Sequence, residues 1–228
     1  MLKSSKFILI EGTDGSGKGT QVGLLRRALK RQGYKVEVID FPQYNKPSAY
    51  FVAKYLNGGY GTSVEVGAYR ASLFYALDRY DVVPQIKKYL TEGKIVIANR
   101  LTLSSAAHQG GKIKSSRERK NFWRWLFDLE YNLLGIPRPN LTIVLHMPAK
   151  VAQKLVDKKA ARRYLKKGKR DIHEADIKHL KAAEKTYLEL AKLQKAQLVE
   201  CVEKGQLLTP NEIHNKIIKI IHKNKIIK

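Results

Sequence analysis

The chain has 228 residues, a length that suits one α/β domain with a substantial core. A single cysteine, Cys201, excludes an internal disulfide framework and favours a reducing, cytoplasmic setting, and we expect no membrane span. The net charge of +24 leaves two explanations open, a lysine-rich protein with a phosphate-handling site or weak, salt-sensitive binding of nucleic acid.

The first predicted elements are a strand, a glycine-rich loop and a helix. The apolar run at 7–10 indicates a buried strand, and residues 21–30 carry apolar side chains on one helical face. Glycines between them let backbone N–H groups converge on one anion, and Lys18 can reach the outer phosphates. The pattern predicts a P-loop that binds a nucleoside triphosphate through Gly12, Asp14, Gly15, Ser16, Gly17, Lys18, Gly19 and Thr20.

The P-loop departs from the usual pattern after its lysine. Gly19 stands where Ser or Thr normally helps to hold Mg²⁺, and Thr20 comes next. This order resembles that of adenylate-kinase-like enzymes, in which water does more of the work of holding the metal. Another nucleoside monophosphate kinase is therefore one alternative for the function.

Strands and helices are predicted to alternate along the rest of the chain. Strands are predicted at 35–39, 94–98, 141–145 and 197–202. Helices are predicted at 47–57, over a broken stretch at 64–91, at 117–134, at 149–161, from the end of a basic segment (162–170) to about 194, and from a capping box at 209–212 onward.

This alternation predicts one domain over residues 1–228 with a P-loop three-layer α/β fold. We expect about five parallel strands with helices on both faces. Ligands of such sheets bind at the carboxyl ends of the strands, where the segments 12–20, 40–44, 99–109 and 146 onward fall.

Five segments in this order resemble the thymidylate kinase (dTMP kinase) family. They are Glu11–Lys18, Asp40-Phe-Pro42, Leu73–Arg79, Asn99-Arg100 with Ser104-Ser105 and His108-Gln-Gly110, and Ile136–Leu141. The resemblance runs from Phe7 to about Tyr187. It implies a homodimeric enzyme that uses ATP and Mg²⁺ to convert dTMP to dTDP in dTTP synthesis.

The resemblance also implies roles for residues at the acceptor. Asp14 matches the acid that accepts a hydrogen bond from the deoxyribose 3′-OH, and Arg100 matches the arginine that grips the acceptor phosphate. Tyr75 matches the aromatic residue that stacks on thymine, although its neighbour Phe74 is an alternative or both are core. Arg79 matches the donor to thymine O4, which would reject cytosine because the base offers an amino donor there.

The remaining predicted dTMP contacts lie on two segments. Ser105 and Gln109 lie on the same segment as Arg100 and are expected to bond the base edge, and His108 falls where the family often has an aromatic residue that crowds a 2′-OH. Phe41 completes this set. Zinc binding by His108 is not expected, because no histidine pairs with another ligand at zinc spacing.

Asn99 departs from the family pattern, which usually has Asp before the phosphate-binding arginine. The family Asp is thought to act near Mg²⁺, so Asn99 is predicted to contact the metal through water. The loss of a full charge leaves three outcomes open: weaker metal binding, transfer of the duty to water or another carboxylate, or an impaired enzyme. An inactive P-loop protein that binds nucleic acid is therefore the non-enzymatic alternative.

The basic segment resembles the mobile lid of the family, over about residues 162–174. Gly15 stands where some members carry Arg, and members without that Arg supply lid arginines to the transferring phosphoryl group. Arg162, Arg163 and Arg170 are therefore predicted to be catalytic with Lys18 and Arg100.

Overall fold

A parallel sheet forms the centre of the molecule in the computed structural model, which describes residues 5–157 and 177–227. Its five strands are hydrogen-bonded in the order β2-β3-β1-β4-β5. They are β1 (Lys6–Gly12), β2 (Val36–Asp40), β3 (Ile95–Asn99), β4 (Leu141–His146) and β5 (Gln197–Glu200). A two-stranded hairpin, β6 (Val202–Glu203) with β7 (Gln206–Leu207), was not predicted.

Helices surround this sheet. They are α1 (Lys18–Arg31), α2 (Tyr50–Leu56), α3 (Ser63–Tyr80), α4 (Val83–Thr91), α5 (Thr102–Gly110), α6 (Ser116–Phe127), α7 (Ala149–Asp157), α8 (Ile177–Leu193) and α9 (Pro210–Lys223). A 3₁₀ turn (Pro47–Ala49) precedes α2, and a π-helical segment (Asp128–Leu133) follows α6. The predicted P-loop three-layer architecture is confirmed.

The sheet has an apolar core on each face because successive side chains of a strand point to opposite sides. In β1, Ile8 and Ile10 pack with the buried residues of α1 and α9, while Phe7 and Leu9 pack with those of α6 and α8. Strands that are buried on both faces read as continuous apolar runs, which is why they were recognisable in the sequence.

The C-terminal helix α9 is part of this core. Ile213, Ile217 and Ile221 are buried against the sheet, and Thr209 and Glu212 form the predicted capping box. Helix α9 is therefore docked on the sheet. No helix in the described parts of the chain has the length and apolar character needed to cross a membrane.

Two predicted helical regions differ in detail, and one helix was not predicted. The stretch 64–91 is broken by a left-handed Gly67 and again between α3 and α4. The helix predicted over 117–134 changes to π-helical geometry at 128–133. Helix α5 was missed; it is a short helix, and all of its residues are buried.

Candidate active site

The P-loop forms an anion cradle between β1 and α1. Gly17, the residue before α1, has φ 83°, and no side chain of the described residues caps the helix N-terminus. A Cβ atom at Gly17 would meet nothing within 4 Å, so the space above the first helical N–H groups is open. Lys18 Nζ donates to the carbonyls of Gly12 (3.0 Å) and Thr13 (2.7 Å). This arrangement suits phosphate binding.

Gly15 lies against helix α7. Its φ is +81°, and a Cβ atom there would lie 2.2 Å from the carbonyl oxygen of Ala152. A larger residue at position 15 would therefore have to displace the backbone of α7. This contact and the positive φ favour glycine at position 15.

Buried polar atoms without partners are concentrated at the carboxyl ends of the strands. Among the described residues, Thr13 Oγ1, Ser16 Oγ and Asn99 Oδ1 have no hydrogen bond, and neither have Gln43 Nε2 and Gln109 Oε1. An unsatisfied buried polar atom costs about 1–3 kcal/mol. Such a concentration is typical of a site that a polar ligand completes.

Arg100 and Asp14 lie together at the acceptor side of the P-loop. Arg100 has a left-handed φ of 69°, a conformation that is rare outside glycine and is found at functional sites. Its Nη2 donates to Asp14 Oδ1 at 2.5 Å, and its Nη1 donates to Ser104 Oγ at 3.0 Å. Burial alone would lower the pKa of Arg100, but the negative charge of Asp14 raises it above its ordinary value. The guanidinium is therefore permanently charged and ready for a phosphate.

His108 lies next to this pair. Arg100 Nη1 is 3.3 Å from His108 Nε2, and His108 Nδ1 is 3.1 Å from His179 Nε2. Because arginine only donates, the first contact requires an unprotonated Nε2, and Nδ1 then donates to His179. His179 on α8 was not foreseen as a member of this cluster.

Arg79, Thr102, Ser105 and Glu130 form what we call the base-reading cluster. Arg79 Nε and Nη2 donate to the two oxygens of Glu130 at 2.7 and 2.6 Å. Nη2 also donates to Ser105 Oγ (2.8 Å), and Thr102 Oγ1 donates to Glu130 (2.7 Å). Arg79 is 2% exposed and Glu130 is 0% exposed, so Arg79 is not a solvated side chain on the surface of its helix. Arg79 Nη1 has no partner among the described residues.

The sequence did not single out Glu130. It lies 51 residues from Arg79 along the chain and inside the π-helical segment. Such segments often occur at functional sites. A glutamate in an apolar, aromatic stretch was the available signal, although only the fold brings it to Arg79.

Glu11 is a second buried carboxylate that sequence reasoning left without a role. Its Oε1 accepts the backbone N–H groups of Leu101 (2.8 Å) and Ser104 (3.1 Å), which begin α5. Its Oε2 accepts the hydroxyls of Ser104 (2.7 Å) and Tyr187 (2.9 Å). Glu11 therefore caps α5 from the end of β1 and links it to α8.

The predicted aromatic residues divide into core and partly buried positions. Phe41 is 3% exposed and belongs to the core, and it precedes a cis bond to Pro42. Phe74 stacks on Tyr60 at 5.0 Å, while Tyr75 makes an edge contact with Tyr55 at 6.3 Å. Phe74 is therefore already part of an aromatic cluster.

A buried aspartate holds the loop after β2 against α3. Asp78 accepts the backbone N–H of Gln43 (3.0 Å) and the hydroxyl of Ser48 (2.8 Å). Burial raises the pKa of Asp78 above its ordinary value. These bonds fix the position of the segment that contains Phe41 beside the base-reading cluster.

The described residues fit a magnesium ion carried in with a nucleotide. Mg²⁺ usually keeps several waters and takes one or two carboxylates together with substrate phosphates. Asn99 Oδ1 is a buried oxygen without a partner at the end of β3, beside the strand that leads into the P-loop. In the described ranges, no three His, Cys, Asp or Glu residues form a metal cage. The predicted lid residues Arg162, Arg163 and Arg170 lie outside the described residues.

Comparisons with known proteins point in one direction. A family model described as thymidylate kinase matches residues 10–217. A thymidylate kinase from Mycobacterium tuberculosis (strain CDC 1551 / Oshkosh) is 30% identical over 187 residues, which cover 81% of this chain and 85% of that protein. A probable thymidylate kinase from Thermococcus onnurineus (strain NA1) is 31% identical over 219 residues, 94% of this chain and 96% of that protein.

A solved structure agrees on the fold. The thymidylate kinase from Candida albicans superimposes with a TM-score of 0.73 and 22% identity, over 97% of this chain and 93% of that one. At this identity the likeness supports the arrangement of strands and helices.

Proposed function

This chain belongs to the thymidylate kinase family, and we propose from that premise how its residues move the γ-phosphoryl group of ATP to dTMP. The enzyme is a dTMP kinase, a phosphotransferase. The observation that carries the proposal is the base-reading cluster beside the Asp14–Arg100 pair, at the edge of the sheet where the P-loop lies.

The P-loop is the proposed site of the donor, ATP. The uncapped N-terminus of α1 and the unpartnered hydroxyls of Thr13 and Ser16 face the phosphates, and Lys18 exchanges its carbonyl partners for phosphate oxygens. When bound, Mg²⁺ neutralises charge on these phosphates. Catalysis is then mainly a matter of position and charge.

The Asp14–Arg100 pair is the proposed holder of the acceptor's sugar and phosphate. Arg100 turns its guanidinium toward the acceptor phosphate, which competes with Asp14 for the same donors. Asp14 then accepts a hydrogen bond from the 3′-OH. His108 lies 3.3 Å from Arg100, where its ring closes the space beside the sugar.

We assign base selection to Nη1 of Arg79, which has no partner among the described residues. Glu130 and Ser105 occupy Nε and Nη2, which leaves Nη1 to donate to O4 of thymine. Ser105 Oγ and the unpartnered Gln109 Oε1 are acceptors for the N3–H of the base. Cytosine presents an amino donor at this edge, so Arg79 would face a donor with a donor.

A coupled assay of ADP release across a panel of monophosphates tests this proposal. We expect kcat/KM for dTMP to exceed that for dCMP and dAMP by more than about 10³, because a mispaired buried polar group gives strong discrimination. Faster turnover of dCMP or dAMP would favour another monophosphate kinase. Nucleotide binding without turnover of any monophosphate would favour an impaired protein.

We also propose that the enzyme is a homodimer formed through α3. Tyr69, Leu73, Leu77 and Tyr80 lie on this helix at intervals of three or four residues and are 40–51% exposed. An exposed apolar stripe on one helical face suits an isologous contact with a second copy.

Sedimentation or light scattering tests the dimer with Leu77→Glu. Leu193→Glu is the matched control, because Leu193 is also an exposed leucine (57%) but lies at the end of α8. We expect a monomer only for Leu77→Glu. A wild-type monomer, or two dimeric variants, would contradict the α3 interface.

The positive charge supports one further, weaker proposal. Exposed cations at the outer ends of α1 and α9, including Arg27, Arg31, Lys219 and Lys223, would hold nucleic acid non-specifically in a cytoplasmic protein. Binding that persists at high salt would contradict this electrostatic origin.

A further inference from the structure

The end of β3 has an oxygen for a metal but lacks a charge. Asn99 Oδ1 is buried without a hydrogen-bond partner, and an amide oxygen is a neutral ligand. A site for Mg²⁺ with a nucleoside triphosphate usually includes at least one carboxylate. The site proposed above therefore needs an acidic group within reach of Asn99.

Two other carboxylates near this edge, those of Glu11 and Asp14, hold parts of the protein together. Glu11 accepts four hydrogen bonds that hold α5 and Tyr187, and its side chain is fully buried. Asp14 is paired with Arg100 at 2.5 Å. Neither Glu11 nor Asp14 lies on β2, which pairs with β3 on the side away from β1.

Asp40 is placed directly beside Asn99 by the register of the sheet. The two residues are Cα partners in the parallel pairing of β2 with β3, and the N–H of Phe41 donates to the carbonyl of Asn99 at 3.1 Å. Neighbouring strands lie about 5 Å apart, and partners in register point to the same face. Asp40 and Asn99 are thus a lateral pair.

That face is the one covered by the P-loop helix. Side chains in phase with Asp40 and Asn99 on their strands, Val36 and Ile97, pack in the same core as Val22 and Leu25 of α1. The N-terminus of α1 begins at the same edge of the sheet. The pair therefore lies toward the place where the donor phosphates bind.

We propose that Asp40 supplies the carboxylate for the nucleotide-bound Mg²⁺ and that Asn99 supplies a neutral oxygen beside it, directly or through metal-bound water. This inference rests on the proposed binding of ATP at the P-loop. In this chain the proposed carboxylate of the metal site therefore lies on β2, beside the β3 position at which the family usually has Asp.

Titration with Mn²⁺ in the presence of a non-hydrolysable ATP analogue, followed by electron paramagnetic resonance, tests the assignment without turnover. Asp40→Asn is expected to weaken Mn²⁺ binding by about tenfold, the usual loss for a supporting ligand. Glu37→Gln is the matched control, because it removes one negative charge from the same strand but on the opposite face, where Glu37 pairs with Lys94. We expect no change for this control.

A swap of the two side chains gives the sharpest result. The double variant Asp40→Asn with Asn99→Asp returns the carboxylate to β3 and should restore Mn²⁺ affinity to within about twofold of wild type. Unchanged Mn²⁺ affinity in Asp40→Asn, or an equal loss in Glu37→Gln, would overturn the role of Asp40. If the double variant does not recover Mn²⁺ affinity, the inference that Asp40 and Asn99 share one metal site is also overturned.

The analogue's own affinity without metal separates this inference from the function on which it rests. If the wild type does not bind the analogue, the proposed donor site is wrong. If it binds the analogue equally well in all variants while Asp40→Asn retains full Mn²⁺ affinity, only the inference about Asp40 fails.

Discussion

The base-reading cluster, our proposed site for the acceptor base, and the P-loop, our proposed site for the donor phosphates, are built in opposite ways. In the cluster, Arg79 and Glu130 are almost fully buried and satisfy each other with bonds of 2.6–2.7 Å. In the P-loop, Thr13 and Ser16 have buried hydroxyls without partners. Apart from Nη1 of Arg79, the first region is already hydrogen-bonded within the protein, whereas we propose that the second is completed by its ligand.

This difference separates stability from catalysis. A change in the base-reading cluster breaks contacts that the folded protein already makes, so it should lower stability as well as dTMP binding. A change in the P-loop chiefly removes contacts to the bound phosphates, so it should lower turnover and change stability much less.

The largest expected effect is that of Lys18→Ala on turnover. Loss of its charge at the transferring phosphates should lower kcat/KM by about 10³ or more. Thermal unfolding should change little, because the two loop carbonyls to which Lys18 Nζ donates can bind water instead. Lys30→Ala, an exposed lysine at the far end of α1, is the control and should behave like wild type. A kcat/KM for Lys18→Ala close to that of wild type would contradict the proposed role of the P-loop in phosphoryl transfer.

Glu130→Gln should disrupt the base-reading cluster and lower both stability and dTMP binding. It leaves Arg79 buried without its counter-ion, which should lower the free energy of unfolding by about 3 kcal/mol. The KM for dTMP should rise by about tenfold or more with little change in the KM for ATP, because Nη1 loses its fixed direction.

Denaturant unfolding and steady-state kinetics check these effects of Glu130→Gln. Glu189→Gln is the control, since it breaks a more exposed pair with Arg119 and should cost less than about 1 kcal/mol. A destabilised Glu130→Gln enzyme with an unchanged KM for dTMP would make the cluster purely structural.

Asp14→Asn tests the acceptor side of the P-loop, where Asp14 pairs with Arg100. The variant keeps the shape of the side chain but removes the charge that faces Arg100. We expect the KM for dTMP to rise about tenfold, the usual cost of a hydrogen bond to a charged group. The KM for ATP should change by less than about twofold, and an equal rise in both constants would contradict an acceptor role.

The smallest effect concerns pH and the end of β4. Partial burial lowers the pKa of His146, but hydrogen bonds to Glu200 (2.6 Å) and Glu184 (3.0 Å) raise it overall above its ordinary value. Its stabilising contribution is therefore complete below a pH of about 6.5 and is lost as pH rises through the raised pKa.

Thermal unfolding of wild type and His146→Gln across pH measures this contribution. The difference in Tm should be largest near pH 6 and should shrink toward pH 9. A difference that is independent of pH would mean that the charge of His146 does not stabilise the fold.

The parts that the sequence predicts well are those encoded by neighbouring residues. The P-loop, the strands and the capping box of α9 each lie within a short segment with its own pattern of glycines, apolar runs or caps. Arg79 and Arg100 were identified as site residues because their surrounding motifs resemble a family.

The missed parts depend on contacts between distant segments. Glu130 reaches Arg79 across 51 residues, and Glu11 caps α5 across 90 residues to Leu101. Helix α5 is short and buried on every side, so its polar residues do not mark a solvent-facing side. The lateral pairing of Asp40 with Asn99 likewise exists only in the assembled sheet.

A crystal structure with dTMP bound tests most directly whether base recognition is complete before the acceptor arrives. The account predicts that Arg79 keeps its bonds to Glu130 and places Nη1 within about 3.2 Å of thymine O4, while Arg100 turns to the phosphate. A base bound elsewhere, or an Arg79 that leaves Glu130 to reach it, would contradict the account.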